Sequence, residues 1–224
     1  LIQAGLRHIK QKHSLKSLSD INPYIHSFGT NQSIIGDNMF NQDLRITNLH
    51  ELYFFMSNVL GKDEVFEGAI AYGFVQNFSH FVAPEHSVYN RFQVNYLDVK
   101  QLHSKIRYAR SINKIIKLDL DANYFKWDQQ VYYHPSFIAN FKLPISLRDK
   151  IQVLPLITYI STRKAMNPDG LISDLPFRVD ANIGFSYFYS KQLSASLELN
   201  NLTNSKKEVW VGYPELGFNM IFGL

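Results

Sequence analysis

The chain has 224 residues, of which 46% are hydrophobic and 14% aromatic, with 17 Phe and 13 Tyr. Cysteine is absent, which excludes a disulfide frame, thiol catalysis and a Cys-ligated metal. The net charge of +4 comes from Lys and Arg scattered along the chain. It therefore suits anionic headgroups, polysaccharide or plain solvation better than nucleic acid, which needs a gathered basic patch.

No run of about 18 apolar residues exists, so a helical membrane span is excluded, but a β-barrel in lipid needs only alternate residues to be apolar. The chain opens on Leu1 without a charged, apolar-cored leader. It is expected to be one domain over 1–224, part of a longer polypeptide.

Ile2, Ala4 and Leu6 alternate with Gln3, Gly5 and Arg7, giving a first strand over 1–12. A polar stretch, 14–43, follows with Asn22-Pro23, Gly29 and Gly36-Asp37-Asn38 as turn signals. A second strand, 44–59, places Leu52, Phe54 and Met56 on one face. Gly61-Lys62-Asp63 turns into a third, marked by Phe66, Ile70, Tyr72 and Phe74, and 77–90 reads as loop. The fourth strand, 91–110, has Leu102, Ile106 and Tyr108 even and His103, Lys105 and Arg107 odd. The fifth, 114–126, sets Leu118, Leu120 and Tyr124 against Lys117, Asp119 and Asp121.

A sixth strand follows Tyr133-His134-Pro135, with Phe137, Ala139 and Phe141 on one face. The seventh, 150–163, is the poorest, because Leu154 and Leu156 spoil its polar face. Pro155 cannot donate to a ladder, so a bulge is expected there. The eighth is the cleanest, with Phe177, Val179, Ala181, Ile183, Phe185, Tyr187 and Tyr189 all odd. Residues 193–200 and 218–222 supply the ninth and tenth. Pairing strands four and five about Ile112 sets Ile106 opposite Leu118, Lys105 opposite Asp119 and His103 opposite Asp121. Pairing eight and nine about Lys191 sets Phe185 opposite Leu197. Apolar then meets apolar and polar meets polar, through turns of odd length, expected to be three residues.

Alternation leaves open whether the dry face is a protein interior or meets lipid. Strands of about 10–15 residues exceed the usual 5–6 of soluble sheets, which favours lipid. Short turns near 62, 112, 148 and 191 and long loops at the other end point the same way. So do aromatics near strand ends (Tyr53, Tyr89, Tyr96, Tyr108, Tyr124, Trp127, Tyr187, Tyr189), where headgroup girdles sit. Charges of both signs on the polar face suit a hydrated interior. The fold class expected is an all-β, antiparallel, up-and-down transmembrane barrel segment of about ten strands.

The endings Leu-Glu-Leu-Asn-Asn-Leu-Thr-Asn (197–204), Trp210-Val-Gly-Tyr-Pro214 and Gly217-Phe-Asn-Met-Ile221 resemble the last hairpin of TonB-dependent-receptor-like barrels of the Bacteroidetes. Tyr133–Phe137, Asp149–Ile151, Arg178–Gly184, Asn22–Tyr24 and Phe92–Tyr96 extend the resemblance. It implies a Gram-negative outer-membrane barrel with periplasmic turns and extracellular loops, of which this chain is the C-terminal part. It also implies a role without catalysis or cofactor, in uptake of a nutrient or chelate. The alternative is a plug-less accessory barrel docking with outer-membrane or lipoprotein subunits. Such barrels usually finish on an aromatic residue, whereas this chain stops at Leu224.

Asp119 and Asp121 could do acid–base work or hold a cation, but cross-strand pairing with Lys105 and His103 explains them more simply. His80 and His86 share a loop without metal-ligand spacing. Trp127, Tyr132, Tyr133 and His134 could stack on a sugar or other ligand at the mouth, although an aromatic belt accounts for them as well. Lys206-Lys207 and Arg163-Lys164 fall in outer loops near the phosphates of lipopolysaccharide, where they could touch lipid or only solubilise the loop. Phosphate-binding glycine loops, nucleophile elbows and zinc motifs are absent from the sequence.

Overall fold

The computed structural model describes residues 1–13, 17, 21, 44–61, 63–82, 92–148, 150–167, 169–190 and 192–224. The readings of 14–43, and of Pro84, His86, Tyr89 and Asn90, fall outside these residues. Among the described residues fifteen strands form: β1 (Ile2–Lys12), β2 (Ile46–Gly61), β3 (Glu64–Val82), β4 (Gln93–Ser111), β5 (Lys117–Trp127), β6 (Phe137–Lys142), β7 (Ile145–Leu147) and β8 (Ile151–Ile160). They continue as β9 (Arg163–Met166), β10 (Ile172–Leu175), β11 (Arg178–Phe188), β12 (Ser194–Asn200), β13 (Glu208–Trp210), β14 (Tyr213–Pro214) and β15 (Asn219–Gly223).

The main sheet runs β1-β2-β3-β4-β5-β6-β8-β11-β12-β15, each strand antiparallel to the next in this order, with β7 also on β8. β6 and β7 keep one register against β8, as Ile138↔Ile160 and Ile145↔Val153 show, so they are one wall strand interrupted at 143–144. The wall thus has the ten spans read from the alternation. Among the described residues β1 and β15 are its edges and do not pair with each other. No helix there is long and apolar enough to cross a membrane.

Exposure along the strands decides what the apolar face meets. In β2 the apolar side chains Leu52, Phe54 and Met56 are exposed, and Leu52 reaches 60%, whereas Glu51 on the opposite face is 5% exposed. In β3, Tyr72 is 56% exposed while its neighbour Ala71 is 6%. A soluble protein would hide the greasy face and wet the polar one. Here the polar face is the sheltered one, and register carries this face across the wall. Ile106, Ala122 and Ala139 follow one another through β4, β5 and β6, then Ile157, Ala181, Phe185 and Leu197 through β8, β11 and β12. This continuous apolar surface, with Ile106, Ile157 and Phe185 exposed, fits contact with hydrocarbon.

The inward face is held by cross-strand polar pairs. Arg7 on β1 donates from Nε to Glu51 on β2 at 2.7 Å and stacks over Tyr53. Arg107 on β4 bridges Asp119 on β5 at 3.0 Å and Glu67 on β3 at 3.6 Å. Asn140 on β6 donates to Asp121 and accepts from Thr158 on β8. The carboxylates are therefore wall pairs, as expected, but their partners differ. Ile106 lies opposite Ala122 and Arg107 opposite Asp121, a slide of four residues from pairing about Ile112. Asn113 Oδ1 accepts from the amides of Ile115 and Ile116, which builds a five-residue turn, 112–116, instead of three.

Phe185 does face Leu197, across a five-residue connection, 189–193. The connection after Leu147 has three residues, since Leu147 pairs with Ile151. The distortion expected at Pro155 falls on its neighbour. β8 is continuous through Pro155, and the ladder is interrupted at Leu143-Pro144, where Leu143 N donates to the Pro155 carbonyl at 3.1 Å. β3 extends beyond 77 through a bulge in which Gln76 and Asn77 oppose Asp98. Asn77 takes φ 53°, and its amide is held by Asp98 Oδ1 at 2.8 Å. Tyr53 and Trp127 face inward, opposite Ala71 and Gln101, so they do not belong to an outer girdle.

Candidate functional site at the loop end of the wall

The long connections gather at one end of the wall, and their apolar residues condense into a shared core. Phe81 and Val82 end β3, Phe92 precedes β4, Tyr132 and Tyr133 come from 128–136, Ala165 and Leu175 from the β9–β10 hairpin, and Trp210 from β13. Trp210 is the hub, with ring centroids 4.6 Å from Tyr133, 5.2 Å from Phe81 and 5.3 Å from Phe92. Tyr133 has φ 62°, and its amide donates to the Lys164 carbonyl at 2.8 Å, joining two loops. Burial raises its phenol pKa.

Tyr132 and Tyr133, expected as ligand-stacking rings, are 9% and 6% exposed. They pack in the core that joins the loops. Half-buried His134 meets the Ser79 carbonyl at 3.2 Å and lies against Phe78, and burial lowers its pKa. Trp127 alone of the four projects along the inner wall. It stacks on Phe125 at 5.7 Å, Phe125 stacks on His103 at 4.4 Å, and the indole donates to Gln101 at 3.1 Å.

The cationic pairs also separate. Arg163 is 7% exposed, and burial followed by repulsion from Arg178 lowers its pKa. Lys164 is paired with Asp174 at 2.8 Å. Lys207 donates to the Phe177 carbonyl at 2.7 Å and covers that ring, whereas Lys206 remains exposed.

A charged network at the root of the last loop had no expectation behind it. Arg178 lies 3.1 Å from Asp180 and 3.7 Å from Glu215, and Arg163 donates to the Glu208 carbonyl at 3.3 Å. Burial raises the Glu215 carboxyl pKa and Arg178 lowers it, with a net rise. Arg178 and Asp180 share an inward face by parity, but nothing in sequence brings Glu215 to them. Beside the network, a groove of about 390 Å³ is lined by Asp180, Asn182, Asn200, Asn201, Glu215, Leu216 and Asn219.

The Asn200–Asn204 stretch that carried the resemblance builds this corner. Asn201, at φ 51°, accepts from Ser205 N and donates to the Ser205 and Leu216 carbonyls. Asn204, also left-handed, accepts from Phe218 N. Asparagine tolerates that conformation and bonds its own backbone, so the motif is a loop-closing device. Among the described residues no group of three His, Cys, Asp or Glu could hold a metal. What the end of the wall offers is a polar, charge-paired inner face with an aromatic ladder, capped by a rigid loop core.

No family profile matches the sequence. No curated protein matches it either. Solved structures do match by shape. The copper transporter OprC superposes with TM-score 0.63 at 16% identity, over 99% of this chain and 36% of that one. The pyoverdine outer-membrane receptor FpvA from Pseudomonas aeruginosa PAO1 gives 0.63 at 12%, over 99% and 33%. The siderophore receptor PirA from Acinetobacter baumannii gives 0.63 at 10%, over 99% and 38%. The chain thus spans about a third of the length of these structures. The likeness is one of fold alone: the antiparallel wall superposes on part of each of these transporter and receptor structures.

Proposed function

We propose that this chain forms part of the wall and extracellular mouth of an integral outer-membrane receptor in a Gram-negative bacterium, importing a bound nutrient or metal chelate. The observation that carries the reading is the inverted exposure of the ten-span wall, apolar outward and charge-paired inward, in a fold shared with a copper transporter and siderophore receptors. In such a wall the short turns face the periplasm and the loop core faces outward. His103, Phe125 and Trp127 line the path beneath that core, where stacked rings and wall charges suit a hydrophilic chelate. Neighbours that are transport receptors do not favour the accessory-scaffold alternative, and none of them is an enzyme by description.

Uptake tests this directly. Cells lacking the gene and cells complemented with the full-length protein are compared for accumulation of chelated iron, chelated copper and small hydrophilic nutrients. A complemented deficit for one substrate supports import. Equal accumulation throughout removes it.

A further inference from the structure

The segment after β5, residues 128–136, turns back across the inner wall. Val131 is 4% exposed and packs on Val75 and Val99, with Leu49, Phe78 and Trp127 around them. Leu49, Val75 and Val99 are cross-strand neighbours on the inner face of β2, β3 and β4. The bulge at Gln76-Asn77 shifts that face from odd to even positions, so Phe78 and His80 continue it toward the loop end. The segment is therefore a strap lying over the Trp127 end of the aromatic stack. Its far end is tied to the β9–β10 hairpin, where the Tyr133 amide donates to the Lys164 carbonyl at 2.8 Å.

Two histidines hold the strap down. Tyr132 stacks on His80 at 5.4 Å, and His80 is 3% exposed. Among the described residues neither nitrogen of the His80 ring has a hydrogen-bond partner. His134, on the strap, meets the Ser79 carbonyl at 3.2 Å and lies 4.9 Å from the Phe78 ring and 6.0 Å from Trp127. The polar groups facing this pair are the two imidazoles themselves, the Tyr132 phenol and, opposite His80 on β4, the neutral Asn95. The acids of adjoining elements are engaged elsewhere. Asp98 on β4 accepts the Asn77 amide and Asp128 at the foot of the strap accepts the Lys100 amide, each at 2.8 Å, while Arg163 and Glu208 act on the Tyr133 phenol. Among the described residues no carboxylate compensates a charge on either imidazole, so a proton there is costly while the strap is closed.

We infer that 128–136 is an acid-released strap, closed over the inner wall while His80 and His134 are neutral and let go when they take up protons. Release uncovers Trp127 and the apolar floor of Val75 and Val99, so mild acid outside the cell widens the mouth. The strap rests on the inner-face assignment and not on what the wall imports. His80 stands sixteen residues above Glu64, where β3 begins. At about 3.4 Å per residue and a tilt near 40° that is a climb of about 40 Å, past an apolar band about 25 Å tall. Burial lowers the pKa of both histidines, and that of His80 falls to about 4, with repulsion from His134 as the second cause. An open strap returns the rings to the ordinary 6.5. Closure is then complete above pH 6.5 and weakens as pH falls toward 4, and at pH 5 His80 alone raises the open fraction about 30-fold.

The test follows amide exchange in the full-length protein in phosphatidylcholine vesicles at about pH 7.5 and about pH 5, corrected for intrinsic rates. Opening of 128–136 should rise about 30-fold in acid while the wall strands keep their protection. The Glu215 loop is an internal control of opposite sign, because its carboxyl binds a proton more tightly when docked. His80→Phe with His134→Gln keeps a ring against Tyr132 and an amide donor for the Ser79 carbonyl, and neither new side chain titrates. In that variant the strap should exchange equally at both pH values. A parent strap indifferent to pH, or a variant strap that still opens in acid, overturns the inference. If the variant does not insert, the parent profile decides. Acid opening confined to 128–136 supports the strap, and loosening shared with 201–218 overturns it. The profile is read without any cargo, so it fails separately from the import reading.

Discussion

Ile106 offers the sharpest test of which face meets lipid. It is 54% exposed, and its lateral neighbours are Gly68 and Ala122, so no polar group stands beside it. It lies five residues above Ser111, where β4 ends at the short turn. At about 3.4 Å per residue and a tilt near 40°, five residues climb about 13 Å, half of an apolar band about 25 Å tall. Ile106→Arg therefore puts a guanidinium near the bilayer midplane and should cost about 2–4 kcal/mol, one and a half to three powers of ten in the folding constant.

The adjacent Lys105 is an internal control. It points to the opposite face, between Ala69 and Asn123, and already carries a charge there. Lys105→Arg should stay within about 0.5 kcal/mol. The assay is reversible urea unfolding of the full-length protein in phosphatidylcholine vesicles, followed by tryptophan emission and gel mobility. If Arg at 106 is tolerated while charge at 105 proves costly, the wall is inside out and the argument from exposure fails.

Trp210→Ala should remove about 3–5 kcal/mol from the loop core while leaving the wall folded. Limited proteolysis then cuts 161–177 and 201–218 faster at unchanged gel mobility, and a collapse of the whole barrel would contradict a separate loop core. Gly73→Ala drives a methyl into the His50 carbonyl oxygen and to 2.5 Å from Glu51 Cβ, costing about 1–3 kcal/mol, whereas Gly68→Ala finds its nearest atom at 3.7 Å and should be neutral or better. Equal urea midpoints for the two variants would refute the close strand approach.

For Glu215 the folded pKa is raised, so the docked loop binds its proton more tightly than the open one. Docking is then strongest below the ordinary 4.5 and weakens as pH rises through the raised value. Amide protection across 201–218, corrected for intrinsic exchange, should fall over that window and become flat in Glu215→Gln. Protection that rises with pH would mean that the Arg178 attraction outweighs burial.

The wall was legible because one rule, period two with a single dry face, acts along every strand and is checked by each neighbour. Its blind spot follows from the same rule. Sliding β4 on β5 by four residues keeps every side chain on its face, so alternation could not reject the pairing about Ile112. The side chain of Asn113, which closes the longer turn, decides that register. Between β11 and β12 the pairing about Lys191 is the register found, with Phe185 opposite Leu197. Pro155 shows a related limit. A proline marks where a ladder is weakened, but Leu143-Pro144 next to it lacks a second donor, and the break appears there.

The loop end was illegible for a different reason. Its core is assembled from Phe81, Phe92, Tyr133, Ala165, Leu175 and Trp210, separated by gaps of roughly ten to forty residues and placed without any period. In sequence Tyr132 and Tyr133 read as candidate stacking rings, and the structure packs them into a small core at the loop end. A sequence read strand by strand finds what alternates along a chain; what gathers across strands becomes visible only when register is known. That is why the wall is legible along the chain and the loop core is not.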